Sequence, residues 1–531
     1  MRQIWRADRV RAAEQATGAA LTSGRLMAQA AAGLARAVLD ELRAVGLRPR
    51  GSRLLVLAGP GDNGGDGLYA AAQLARRGLQ VKLWNPLGQV HPAAWRAALA
   101  AGARPLEAPP APADLARIDL VLDAVFGLGA RPGLPPELAE LAQACRELRL
   151  PLVSADLPSG LAADACAADQ PASFWATRTV AFGAWKPCHV LQPARDRCGA
   201  RSLVEIGLVS SQADLLEVEL SDLAAWWPWP QPTSDKYSRG VVGFDTGSER
   251  YPGAAVLGVL GAVWAGAGLV RYVGPVGPAV LAAAPNVICQ ALDSPAPAWP
   301  GLVPTEQARH QSGLAQLRVQ AWVIGSGWGE RSGLAARLSE AVASGRPVVV
   351  DADGLRVGLA GLPGAAGLEP DQVVGPLNPS VLLTPHAGEL AACLGWERRQ
   401  VEADPVTAVR RLSDLTGATV LLKGSTQYVA RPGQATVHLA FPGPAWTAQA
   451  GSGDVLAGIC GALLAAGLPA WQAGLAGASI QALAAVRHLG PYPPQALVRR
   501  LPAVIASLGE FGPAGPSLVG SGPEAEDGLW L

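Results

Sequence analysis

Asp454 stands in Ala450-Gly451-Ser452-Gly453-Asp454-Val455, just ahead of a long uncharged stretch. Gly451 and Gly453 carry no side chains, so the amides around them are open to an anion. A helix predicted to follow adds its positive end at the same place. A carboxylate there repels a resting phosphate, but it is useful where a hydroxyl must lose its proton as a phosphoryl group arrives. A lone G-x-G-D is more often an Asp capping a helix, so the weight falls on the rest of the chain. Lys423, in Leu422-Lys423-Gly424-Ser425-Thr426-Gln427, offers positive charge for the same chemistry. His386, in Thr384-Pro385-His386-Ala387-Gly388-Glu389, is the one histidine in these loops and is read as a ligand contact. The sequence has no G-x-x-x-x-G-K-[ST], which excludes a P-loop enzyme.

The first half carries a second set of such residues. Gly59-Pro60-Gly61-Asp62-Asn63-Gly64-Gly65-Asp66-Gly67 follows an apolar run at 53–58. As a dinucleotide fingerprint it is imperfect, because a pyrophosphate cradle avoids carboxylates. Two further loops are Asp123-Ala124-Val125-Phe126-Gly127-Leu128-Gly129-Ala130-Arg131-Pro132-Gly133 and Asp156-Leu157-Pro158-Ser159-Gly160. Asn63, Asp123 and Ser159 can offer oxygens to a hard cation, either a monovalent ion or Mg²⁺. Asp156 is a candidate base, and Lys186 can steady developing charge. Taken singly, each of these is more often a turn or a cap.

The elements that must position these loops are strands in succession. Runs at 53–58, 80–84, 118–122, 151–155, 178–182 and 202–206 predict the first sheet, after a helical pattern over 9–45. Runs at 241–244, 269–273, 286–291, 322–324, 347–350, 381–383 and 420–422, then a hairpin region at 426–440, predict the second. Each strand delivers a polar loop, as in a doubly wound α/β fold, where ligands sit at the carboxyl ends of the strands. Between the two sheets, Trp226-Trp227-Pro228-Trp229-Pro230-Gln231-Pro232 cannot continue a helix or a central strand, and its tryptophans are expected to pack on a domain.

Composition narrows the class. With 531 residues, two or three domains are expected. Lys+Arg 43 balances Asp+Glu 43, so no basic field points to nucleic acid. Lysine is confined to Lys82, Lys186, Lys236 and Lys423, which suggests positions where Arg does not fit. The seven cysteines show no metal or C-x-x-C spacing and read as reduced thiols in a cytoplasmic protein. The uncharged stretches 251–270 and 455–486 read as buried helices rather than membrane spans. Ala-rich helices permit a homo-oligomer without demonstrating one.

In order along residues 10–208, the motifs A-G-x-G-x-N-G-G-D-G, D-x-x-F-G-x-G-x-x-R and D-x-P-S-G resemble the N-terminal domain of NAD(P)H-hydrate epimerases. That resemblance implies a Rossmann-like three-layer domain that interconverts the R and S hydrates of NADH and NADPH. It implies K⁺ at Asn63, Asp123 and Ser159. The substrate would lie on Asp62–Asp66, Gly127–Gly133 and Asp156. Residues 235–490 are similar to the ADP-dependent NAD(P)H-hydrate dehydratases of the ribokinase-like superfamily, through K-x-x-x-G, D-A-D-G-L, T-P-H-x-G-E-L, L-K-G-x-x-T and A-G-x-G-D-V-L-A-G. There ADP, with Mg²⁺, phosphorylates the hydroxyl of the hydrated ring and phosphate then leaves. The resemblance implies that Ala255, Gly327, His386 and Asp454 contact the hydrate, and that Lys423, Gly424, Ser425, Thr426, Gln427 and Gly453 contact the nucleotide. Asp454 would be the base. Asp62, Asn286, Ser326 and Trp328 depart from the family pattern. The expected layout is an epimerase domain at 1–208, a linker at 209–234, a dehydratase domain at 235–515 and a tail at 516–531. The alternatives are a small-molecule kinase with a non-catalytic N-terminal domain, or an N-terminal half that serves only as a ligand-binding or docking module.

Overall fold

The computed structural model describes residues 1–18, 23–129, 131–165, 172–210, 212–290, 314, 317–359 and 377–511. Ala130 and the expected tail 516–531 lie outside the described residues.

The chain opens with an excursion. β1 (Arg2–Ile4) does not join the sheet of the half that follows it. That half is built on β2 (Arg53–Ala58), β3 (Gln80–Trp84), β4 (Arg104–Pro105), β5 (Leu120–Ala124), β6 (Leu152–Ala155), β7 (Arg178–Phe182) and β8 (Ala200–Val204). The seven strands lie in the order β4-β3-β2-β5-β6-β7-β8, and every pair is parallel. Leu54 to Ala58 are all buried, as a strand covered on both faces requires. Strand order reverses between β2 and β5, which opens a crevice at their carboxyl ends. Helix Asp62–Arg76 begins at that crevice, so the expected glycine loop is the first turn of a helix. Among the described residues, the helical pattern over 9–45 resolves into the helices Ala7–Ala16 and Arg25–Ala44, with Gly24 in a left-handed conformation (φ 73°) at the start of the second.

The second sheet has eleven strands. They include β9 (Leu215–Glu217), β10 (Val241–Asp245), β11 (Leu269–Tyr272), β12 (Ile288–Cys289), β13 (Ala321–Ile324) and β14 (Val348–Val350). β15 (Val381–Leu383), β16 (Thr419–Leu422), β17 (Tyr428–Ala430) and β18 (Val437–Leu439) follow. From β12 through β11, β10, β13, β14 and β15 to β16 the pairing is parallel, and β16-β17-β18 is an antiparallel meander. β9 adds parallel to β18, and β1 adds antiparallel to β9. The stretch 209–234 therefore contains a strand of this sheet and a helix, Leu220–Trp226. Trp227 is buried in the core of this half, and Trp226 meets Trp471 edge-on with ring centroids 5.3 Å apart.

Order reverses again between β10 and β13. Two apolar helices, Pro252–Trp264 and Ser452–Ala465, the second charged only at Asp454 in its first turn, cover that point and touch backbone to backbone. A Cβ on Gly458 would sit 1.9 Å from the Gly258 carbonyl oxygen, so only glycine permits the approach. The contact holds the first turn of helix Ser452–Ala465 over the crevice.

Two candidate active sites

In the N-terminal crevice, Asp123 is the last residue but one of β5, and β6 leads to Asp156. Asp123 is fully buried and receives the Ser159 hydroxyl at 2.5 Å, the Ser159 amide at 2.8 Å and the Ser154 hydroxyl at 2.9 Å. Burial raises its pKa, and those hydrogen bonds oppose the rise. Asn63 donates its Nδ2 to the Phe126 carbonyl at 3.0 Å, while its Oδ1 is buried with no hydrogen-bond partner. The Phe126 amide donates to Ser159 Oγ at 2.8 Å. Phe126 thus joins Asn63 Nδ2 to Ser159, and Ser159 in turn joins Asp123, so the three expected residues lie together. Gly127 makes room for them, since a Cβ there would lie 3.1 Å from that of Asn63.

Asp156 adopts φ 62°, a strained left-handed conformation for a residue with a side chain. Its Oδ1 is paired with the buried Lys186 ammonium, which also donates to the Phe182 carbonyl at 2.9 Å. His189 anchors both residues. Its Nδ1 accepts the Lys186 amide at 3.0 Å, and its Nε2 lies 2.8 Å from the Asp156 carbonyl oxygen. Burial pushes the His189 pKa down to about 3, so the ring is neutral and Nε2 carries the proton that reaches Asp156. His189 was not legible in advance, because nothing in its neighbourhood marks it. Asp66 faces the same crevice from helix Asp62–Arg76. Burial first, then the charges of Asp156, Asp62 and Glu14, hold its pKa well above the ordinary carboxylate value. Asp62, the departure from the family pattern, is exposed and adds its charge to this group. Leu128 lies against helix Ala7–Ala16, and Arg131 and Pro132 are exposed.

In the C-terminal crevice the organising residue is Asp351, which directly follows β14 in the D-A-D-G-L motif and has no role in the sequence reading. It is buried and receives Lys423 Nζ at 2.6 Å, Thr384 Oγ1 at 2.8 Å and Ser326 Oγ at 2.9 Å. Burial works to raise its pKa, but the Lys423 charge and these hydrogen bonds outweigh burial and hold it below the ordinary value. For Lys423, burial works against the charge, and the carboxylates of Asp351 and Glu389 prevail and raise its pKa. Asp454 lies in the first turn of helix Ser452–Ala465, behind Gly451 at φ 92°. Burial, then the Asp351 charge, lifts Asp454 to about 7, against the opposing pull of Lys423 and a Ser326 hydrogen bond. Gly453 faces the Lys423 ammonium, and a Cβ there would be 3.2 Å from Nζ. A cation and the amides of a helix N-terminus therefore share one small space.

The remaining predicted residues surround this space. Gly327 (φ 64°) packs on helix Pro252–Trp264, where a Cβ would meet that of Ala254 at 2.6 Å; Ala255 is buried one residue further on. The departures from the family pattern also have partners. Ser326 donates to Asp351 and works to lower the pKa of Asp454, and the buried Trp328 donates Nε1 to the Asp245 carbonyl at 2.8 Å. Asn286 is exposed. His386 caps helix Ala387–Leu394, its Nδ1 accepting from the Gly388 and Glu389 amides at 3.0 and 3.1 Å. Its side chain is 60% exposed, with Nε2 3.6 Å from Glu389 Oε1. Gly424 and Ser425 are exposed, and Thr426 and Gln427 are buried. Thr426 Oγ1 accepts the Gln192 amide at 3.1 Å, a direct link from one half of the chain to the other.

Comparison with known proteins agrees with this division. A family model described as NAD(P)H-hydrate dehydratase matches residues 242–500, and one described as YjeF-related protein N-terminus matches 23–188. A bifunctional NAD(P)H-hydrate repair enzyme from Mycobacterium tuberculosis is 42% identical over 475 residues, 89% of this chain and 91% of that protein. The enzyme of that name from Escherichia coli K12 is 30% identical over 89% of this chain and 87% of its own length. A solved ADP/ATP-dependent NAD(P)H-hydrate dehydratase from Bacillus subtilis, co-crystallised with ATP/Mg²⁺, is 20% identical and aligns with a TM-score of 0.45, covering 55% of this chain and 99% of that one. With two crevices in one chain and relatives that match nearly all of it, this protein belongs to the bifunctional NAD(P)H-hydrate repair enzymes, epimerase and dehydratase together.

Proposed function

We propose that the N-terminal crevice exchanges the R and S hydrates through Asp156 and Lys186, and that the C-terminal crevice consumes the S hydrate with ADP, giving NAD(P)H, AMP and phosphate. One observation carries the reading: Asp454, lifted to about 7, stands beside the Lys423–Asp351 pair at a helix N-terminus. A base of that strength is partly ionised at neutral pH and can accept the hydroxyl proton as the oxygen bonds to phosphorus, when that proton becomes far more acidic. Lys423 and the amides around Gly453 then receive the charge that develops on the transferred phosphoryl group.

Lys423, Gly424, Ser425, Thr426, Gln427 and Gly453 hold the nucleotide in this reading, and Ala255, Gly327 and His386 hold the hydrate against Asp454. ADP is the donor, and Mg²⁺ accompanies its phosphates, neutralising their charge. In the other half, Asn63, Asp123 and Ser159 hold K⁺. The buried, unpartnered Asn63 Oδ1 fits a cation bound by mixed neutral and charged oxygens. Asp62 to Asp66 and the loop 127–133 cradle the hydrate beside Asp156. The six described cysteines are free thiols, which fits a reducing cytoplasmic compartment. Among the described residues no helix is long and apolar enough to cross a membrane.

The test uses full-length protein with purified S hydrate, ADP and Mg²⁺, following the absorbance of the reduced nicotinamide. Recovery of NADH with equal amounts of AMP and phosphate is expected. Accumulation of a stable phosphorylated product, or full activity in Asp454→Asn, would overturn the assignment.

A further inference from the structure

The helix Ala7–Ala16 belongs to neither sheet, yet it lies across the N-terminal crevice. Val10 and Ala13 pack on Ala184 and Leu128, one from each side of the site. Arg11 Nη2 donates to the Leu128 carbonyl at 3.0 Å, fixing the helix to the expected substrate loop. The Trp5 amide donates to the Trp185 carbonyl at 2.9 Å, next to Lys186. One turn beyond Arg11, on the same helix face, comes Glu14. It is partly buried, and the charges that act on it are those of Asp156, Lys186, Asp62 and Arg11, while its own charge acts on Asp66.

We infer that Glu14 is a second acid–base group of the epimerase site, facing Asp156 across the substrate. The inference rests on the epimerase reading of this half. Inverting the carbon that bears the hydroxyl requires a leaving group on one face and an entering water on the other. One group must give a proton while a second takes one. The carboxylic acid of Glu14 protonates the departing hydroxyl, the C–O bond breaks and water leaves. The lone pair of the adjacent ring nitrogen supplies the electrons and forms the iminium. A water then adds from the opposite face, its electron pair making the new C–O bond as the iminium electrons return to nitrogen. Asp156 accepts its proton, and exchange with solvent returns both carboxyls to their starting states. The reverse direction exchanges the roles, so neither epimer is favoured by the enzyme. Asp156 is placed for the accepting role, with its Oδ1 held by the buried Lys186 ammonium. Glu14 is suited to the donating role: burial first, then the charge of Asp156, raises its pKa, with Lys186 and Arg11 opposing.

Placement of this helix depends on the other half of the molecule. β1 precedes it and pairs with β9 in the eleven-stranded sheet, with Arg2 opposite Glu217. Asp214, just ahead of β9, receives the Arg6 amide at 2.9 Å and Arg9 Nε at 2.9 Å. The cover of the epimerase site is thus tied to the dehydratase sheet.

The test measures R-to-S conversion in the full-length protein without nucleotide, so that the second activity is idle. Glu14→Gln is expected to lower kcat about 10²-fold or more, with KM changed little, and to remove the alkaline limb of the pH profile. Glu14→Asp should restore part of kcat and keep that limb. Dehydratase activity on added S hydrate, unchanged in both variants, reports that each is folded; if Glu14→Gln fails that check, the pH profile of Glu14→Asp decides. A Glu14→Gln variant within threefold of the parent and with the same alkaline limb would overturn the inference. Asp156→Asn separates the two layers: loss there with none at Glu14 overturns only the role of Glu14. A parent protein no faster than the spontaneous exchange would overturn the epimerase reading itself.

Discussion

The two crevices solve one electrostatic problem with the same parts. Each holds a lysine committed to one aspartate, Lys186 to Asp156 and Lys423 to Asp351. Each keeps a further carboxyl, Asp66 or Asp454, lifted by burial and by the charge of that committed aspartate. The difference lies in access. The Lys186 side chain is 1% exposed and spends a second donor on a carbonyl, whereas that of Lys423 is 17% exposed and looks onto the bare backbone of Gly453. A sealed ammonium can only hold its partner aspartate in place. An open one can also receive a phosphate. In the proposed function, the same kind of pair thus serves proton traffic in one half and phosphoryl traffic in the other.

The sharpest way to break this comparison is to exchange the bases. Asp454→Asn should lower dehydratase kcat by about 10²–10⁴-fold and leave R-to-S exchange untouched; Asp156→Asn should do the reverse. Separate assays of the two activities on each variant read the crossover. Removing the cations comes next. Lys423→Met should reduce dehydratase kcat by about 10²-fold. It also leaves Asp351 buried and unpaired, at a cost of about 3–5 kcal/mol in stability. Lys186→Met leaves Asp156, whose side chain is 10% exposed against 3% for Asp351, and should cost less; denaturant titration of both variants ranks them.

pH gives a smaller and more specific effect. With Asp454 at about 7, dehydratase kcat/KM should fall tenfold per pH unit as the pH drops below that value. The same shift has a stability consequence. From its ordinary value of 3.8 up to about 7, the folded protein keeps a proton that the unfolded chain has lost, so stability declines as pH rises through that window. The loss is complete above about pH 7 and amounts to at most about 4 kcal/mol. Asp454→Asn should melt higher than the parent at pH 8, and the gap should close near pH 4. The smallest effect belongs to Ser326, whose hydrogen bond holds Asp454 down. Ser326→Ala should move the acid limb of the dehydratase profile to higher pH by less than one unit, with kcat on the plateau nearly unchanged.

Much of both sites could be read along the chain because each strand is short, apolar and followed at once by a polar glycine-bearing turn. Asp454, Lys423, Asp123 and Asp156 all stand at such junctions. Asp351 stands at one too, yet its role was missed, since its partners Ser326, Thr384 and Lys423 come from three other strand ends. His386 was read as a ligand contact; its Nδ1 also caps a helix, which its position before Ala387-Gly388-Glu389 signals. β1 and β9 escaped notice because three-residue strands leave almost no periodicity to detect.

The sequence alone was enough for the succession of strands and loops, two doubly wound halves and the residue types at each strand end, because those depend on local hydrophobic pattern and glycine geometry. Tertiary structure decided which aspartate each lysine takes, which carboxyl is left holding a proton, and where the first helix comes to rest. Such choices depend on burial and on charges brought together from distant segments. No stretch of the chain carries that information until the sheets have closed and β1 has crossed to the other half.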